Sequence, residues 1–112
     1  MFSQNTLTIT GNLVKDPEFK TPKEKTVGTC VIAYNHSKEK VSYFDVEAWE
    51  DSSNLEALRE AKKGYRVHLT GYLAQERWEN AEKKIDSRIK IIATGMVITP
   101  NKGNGNGEAS AS

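Results

Sequence analysis

Residues 52–64 read Ser52-Ser53-Asn54-Leu55-Glu56-Ala57-Leu58-Arg59-Glu60-Ala61-Lys62-Lys63-Gly64. This is the one stretch whose apolar residues recur at helical spacing: Leu55, Leu58 and Ala61. Ser52-Ser53 offers an N-cap, and Glu56 stands in the capping-box position relative to Ser53. Lys62-Lys63-Gly64 reads as a helix end, with positive charge against the dipole and then a C′ glycine. The spacing predicts a single short helix over 53–63, and the rest of the patterned chain has period two.

Three strands precede that helix. Leu7, Ile9, Gly11 and Leu13 alternate with Thr6, Thr8, Thr10 and Asn12, the pattern of a half-buried strand. Asp16-Pro17 breaks it, and residues 21–25 read as an exposed turn. Residues 27–34 form a second strand, with Cys30 and Ile32 on one face and Thr29, Val31 and Ala33 on the other. A polar connection over 35–40 makes a hairpin with the third strand, 41–49. There Phe44, Val46 and Ala48 share the core face, and Tyr43, Asp45, Glu47 and Trp49 share the opposite one.

Two long strands follow the helix. Val67, Leu69, Gly71 and Leu73 point inward on the fourth, which runs on through Trp78. Residues 79–82 are a polar turn, and Ile85, Ser87, Ile89, Ile91 and Ala93 form the expected core face of the fifth. The prediction is an all-β, antiparallel, five-stranded OB-fold barrel, with its one helix between strands three and four. The expected domain is 1–100, and 101–112, rich in Gly, Asn and Ser, is expected to be a flexible tail.

With 112 residues, one domain is expected. One cysteine excludes an internal disulfide, and two separated histidines make a structural zinc site a poor fit. The start carries no basic-then-apolar leader, and no window approaches ~20 apolar residues. A soluble, cytoplasmic protein is therefore expected. There is no Gly-rich phosphate loop, nucleophile elbow or metal-ligand pair. Asp45 and Glu47 read as a solvated pair, so no catalytic residue, metal or cofactor is assigned.

Net charge is +1, so nucleic-acid binding would need local charge or stacking. The aromatic residues supply the second. Tyr43 and Trp49 lie on the polar face of strand three, and Trp78 sits between charged residues near a hairpin tip. All three read as base-stacking platforms; Tyr34, on the Cys30 face, is a weaker candidate. Lys20 and Lys23 after strand one, Lys38 in the first hairpin, Arg77 beside Trp78, and Lys83, Lys84 and Arg88 on the last strand frame an electrostatic track. Asp45, Glu47 and Glu76 oppose it, so replacing Glu47 by lysine is expected to tighten binding and a shallow salt dependence is expected.

Residues 5–13 followed by Asp16-Pro17-Glu18, Phe44 to Trp49, and Lys63-Gly64 through Val67, Gly71 and Leu73 resemble the bacterial single-stranded DNA-binding protein family. Trp78 falls five residues after that leucine, as in the family. The resemblance covers about residues 5–98. It implies an OB-fold, a homotetramer, and binding of single-stranded DNA without sequence preference in replication, recombination and repair, at the nucleoid. It carries stacking roles to Tyr43, Trp49 and Trp78, where the family usually has Trp, Phe and Trp. A fourth family aromatic has no counterpart in His36-Ser37-Lys38.

The sequence also departs from the family. Asp45, Ala74 and Glu76 stand where basic residues are common. The family's acidic C-terminal tip is absent from the sequence given, which puts recruitment of replication and repair proteins in doubt. An OB-fold relative acting as a protein-binding, primosome-like module, or one binding RNA, is the competing expectation. For assembly, Thr6, Thr8 and Thr10 form an outward row, and His68 and Tyr72 face out beside it.

Overall fold

A computed structural model describes residues 3–50 and 53–100. The strands are β1 (Leu7–Leu13), β2 (Glu18–Lys20), β3 (Val27–Ser37), β4 (Lys40–Trp49), β5 (Arg66–Glu79) and β6 (Ile85–Thr99). The helix α1 (Asn54–Arg59) lies between β4 and β5. β2 is a three-residue strip beside β3, so the five long strands and the helix keep the expected order. The tail over 101–112 and the cap contribution of Ser52 lie outside the described residues.

The sheet runs β1-β5-β6-β4-β3-β2 and closes through β1–β3 pairing, which makes a five-stranded barrel. One pair departs from the antiparallel expectation: β4 meets β6 in parallel, at Val46↔Ile91 and Glu47↔Ile92. The helical crossover after β4 allows this pairing, because parallel neighbours need a long connection. Ile32, Val46, Leu58, Val67 and Leu69 are fully buried. Leu58 comes from α1, so the helix closes one end of the barrel. Asn54, the one buried polar residue among those described, donates from Nδ2 to the Ala93 carbonyl at 3.4 Å and ties α1 to β6.

The helix is shorter than predicted. Ser53 is the N-cap residue but sits in the α-region and makes no side-chain cap bond, so the capping box does not form. The helix stops at Arg59 rather than 63. Gly64, at φ +92°, serves the turn into β5 instead of the helix end: its N–H bonds the Leu13 carbonyl. Asp16 has a partner in the same region, its Oδ1 accepting from the Lys63 N–H at 2.8 Å.

The inward pattern expected on the last two strands holds only over the barrel. Ile91 and Ala93 are buried, but Ile85 and Ile89 are 63% and 55% exposed, and Leu73 is exposed too. The β5–β6 hairpin outruns the barrel, so its alternation continues where there is no core to face. At the barrel wall Thr94 is an extra residue, since Thr70 pairs with Gly95 and Gly71 with Ala93. A bulge of this kind reverses which residues point inward. Beyond it, Met96 and Ile98 pack against the core. Among the described residues no helix is long and apolar enough to cross a membrane.

Candidate nucleic-acid interface

β4 alternates strictly: Val46 and Ala48 are buried, while Tyr43 is 63% exposed. Asp45, Glu47 and Trp49 share the outward parity of Tyr43. Glu47 pairs with Ile92 of β6, which carries the same outward parity to Lys90 and Arg88. Across the hairpin Arg88 pairs with Glu76, and Asp86 with Trp78. The outward face of β4 and one face of the hairpin are thus a single surface.

Ion pairs cross that surface. Arg88 lies 3.3 Å from Glu76 and 3.8 Å from Asp45. Lys90 lies 2.7 Å from Glu47 and 3.8 Å from Glu76. The three acids that oppose the basic track in the sequence are therefore each paired within the protein. The Cys30 thiol beneath is pushed up to about 12, first by burial and then by the Asp45 carboxylate. A thiol held protonated this way is a poor nucleophile.

Trp49 closes one end of the surface. Its indole Nε1–H donates to Glu47 Oε1 at 3.2 Å. Its ring borders an open groove of about 800 Å³, lined also by Pro22, Lys23, Glu24 and Lys25. Lys20 borders a second groove of about 220 Å³, shared with Arg88 and Lys90. Trp78, 41% exposed, stands toward the far end of the hairpin. Tyr43, Trp49, Trp78, Lys20, Lys23 and Arg88 are the sequence candidates that the fold brings to one side.

The others are placed differently. Tyr34 pairs with Ser42, and Ala33 with Tyr43, so Tyr34 points to the opposite side of the β3–β4 ribbon from Tyr43. Its ring meets His36 edge-on, with centroids 4.8 Å apart. Arg77 alternates with Trp78 and faces away from it. Lys38 sits at the β3–β4 turn. Lys83, at φ 64°, and Lys84 form the β5–β6 turn, where Asn80 Oδ1 accepts from the Lys84 N–H at 3.1 Å. Lys90 is not among the sequence candidates, although it shares the parity of Arg88 two residues earlier. Among the described residues no group of three or more His, Cys, Asp or Glu is arranged to hold a metal ion.

A family model described as the single-strand binding protein family matches residues 4–99. The chain is 29% identical to a single-stranded DNA-binding protein of Deinococcus radiodurans, over 93% of this chain and 37% of that one. It is 35% identical to a single-stranded DNA-binding protein of Aquifex aeolicus, over 82% of this chain and 67% of the relative. The chain thus spans well under half of the first relative's length.

Proposed function

The chain belongs to the single-strand binding protein family, and from that premise we propose that it binds and protects single-stranded DNA without sequence preference. The observation that carries the proposal is the continuous outward face that holds Tyr43, Trp49 and Trp78. Stacking is sequence-tolerant because every base has a π-face. The cations on that face are largely committed to its own acids, so stacking carries most of the affinity, and Lys20, Lys23 and one turn lysine add phosphate contacts. Replication, recombination and repair are the processes that such binding serves. No catalytic role is assigned.

The proposed assembly is a homo-oligomer, most simply a tetramer of two dimers. Over Leu7–Ile9, β1 has β5 as its one strand neighbour among the described residues, so its other edge is open for pairing there. Tyr72 and Val97 are exposed on the neighbouring outer sheet. Sedimentation at micromolar protein is expected to show a species several times the 12.5 kDa chain; a monomer would reject this. A protein-docking role draws its support from the acids Asp45 and Glu47 on this face, where they pair with Arg88 and Lys90.

The binding proposal is tested by polarisation of a fluorescein-labelled oligo-dT, with unlabelled oligo-dT, oligo-U and duplex DNA as competitors. Oligo-dT is expected to displace the probe and duplex DNA is expected not to. Equal displacement by the duplex would reject the proposal, and preferential displacement by oligo-U would assign the domain to RNA.

A further inference from the structure

We propose that Glu47 is a positioning residue, whose carboxylate, braced by Lys90, holds the indole of Trp49 in its stacking orientation. This rests on the reading of Trp49 as a stacking platform. An outward glutamate on a sheet is ordinarily solvated. The side chain of Glu47 is only 14% exposed and that of Lys90 17%.

Each carboxylate oxygen has its own partner. Oε1 accepts from Trp49 Nε1–H at 3.2 Å, and Oε2 accepts from Lys90 Nζ at 2.7 Å. The fold dictates the contact. Glu47 and Trp49 are two residues apart on one strand and share a face. Glu47 pairs with Ile92, and Lys90 lies two residues back along β6 on that face. A carboxylate withdrawn from water holds its partners firmly, because leaving it unpaired is costly. Hydrogen bonds to an ionised acceptor are also stronger than neutral ones.

Two consequences follow for Trp49. Its ring cannot turn about the strand without breaking a charge-assisted bond. Its single donor is also used inside the protein, because indole N–H is the only polar group on the side chain. The ring therefore offers a face to nucleic acid and no hydrogen bond to a base edge, which suits binding without sequence preference.

The proposal reverses a sign. If Glu47 were merely a negative charge near phosphates, removing it would tighten binding and release Lys90 to help. As a positioning residue, its removal loosens binding. In a Trp78→Phe background, where Trp49 is the only tryptophan, Glu47→Ala is expected to lower the fluorescence anisotropy of Trp49 in the free protein. It is also expected to weaken oligo-dT binding about fivefold, toward the low end of the loss of one stacked base. Glu47→Gln retains an acceptor for the indole and is expected to keep the anisotropy.

Trp49→Phe keeps a stacking ring without the donor. In that background the Glu47→Ala penalty is expected to vanish, since a residue acting through Trp49 has nothing left to position. Unchanged anisotropy in Glu47→Ala, tighter binding, or a penalty that persists in the Trp49→Phe background would each overturn the proposal. If Glu47→Ala fails to fold, Lys90→Met decides: loss of the brace on Oε2 is expected to lower the Trp49 anisotropy, and no change there would overturn the proposal. Should the parent protein not bind oligo-dT at all, the function proposed above fails, while the anisotropy of the free protein still judges the role of Glu47.

Discussion

Glu76 Oε1 lies 3.3 Å from the Nε of Arg88, its cross-strand partner in the β5–β6 hairpin. The same carboxylate oxygen lies 3.8 Å from Lys90 Nζ. One acid thus engages two of the cations on the proposed DNA face. Both Glu76 and Arg88 are about half exposed, so the pairs are weak in themselves and screened by salt. Their effect is competitive: the carboxylate already offsets the charge that a phosphate would neutralise.

Glu76→Gln should therefore release Arg88 to phosphate. Affinity for oligo-dT is expected to rise at low salt, and the salt slope to steepen by roughly 0.7, the value for one single-strand phosphate contact. Isotherms at several salt concentrations measure this. An unchanged slope would place the DNA path away from Arg88.

Trp78→Ala and Tyr43→Ala should each weaken oligo-dT binding by about 1–3 kcal/mol, the range for one stacked base. Tyr43 is 63% exposed, Trp78 is 41% exposed, and neither belongs to the buried core, so the thermal midpoint is expected to hold. Wild-type affinity in both variants would remove stacking from the account.

Gly71→Ala tests the barrel wall. A Cβ there would collide with the Ile92 carbonyl oxygen, which is backbone and cannot swing aside. A loss of about 1–3 kcal/mol or more is expected, as for other overpacked sites. Urea unfolding measures it, and near-wild-type stability would show that the β5–β6 bulge can open.

Cys30 gives a prediction at alkaline pH. Its thiol ionises from 9.0 in the unfolded chain and from about 12 in the folded one. Well below pH 9 it is protonated in both states and contributes no pH dependence. Between the two values the unfolded state binds fewer protons, so stability falls as pH rises. From about pH 8 to about pH 10.5 the urea midpoint of the wild type should fall further than that of Cys30→Ala. Equal declines would mean the thiol is not protected.

Much of this architecture is legible in the sequence because alternation and helical spacing are local properties. The faces of β4, and hence the shared side of Tyr43 and Trp49, follow from period two alone. What stays hidden depends on partners distant in the chain. Nothing near Ile85 or Ile89 shows that the hairpin outruns its barrel, and Thr94 gives no sign of reversing the parity beyond it. Glu47 reads as a solvated negative charge until Lys90, on another strand, is seen beside it. Ser53 and Glu56 have capping-box spacing, yet the backbone at Ser53 is already helical. The family resemblance is readable from residue order; the neutralisation of the face is not, because it is made by contacts across β4, β5 and β6.

On the proposed reading, stacking rather than phosphate neutralisation carries single-stranded DNA binding on this face. Quenching of intrinsic tryptophan fluorescence by oligo-dT across a range of salt concentrations tests that weighting. Strong quenching is expected throughout, with the logarithm of the binding constant falling against the logarithm of salt no more steeply than roughly −2, the value for about three phosphate contacts. Binding without quenching, or a markedly steeper slope, would contradict the claim and give the affinity to the loop lysines.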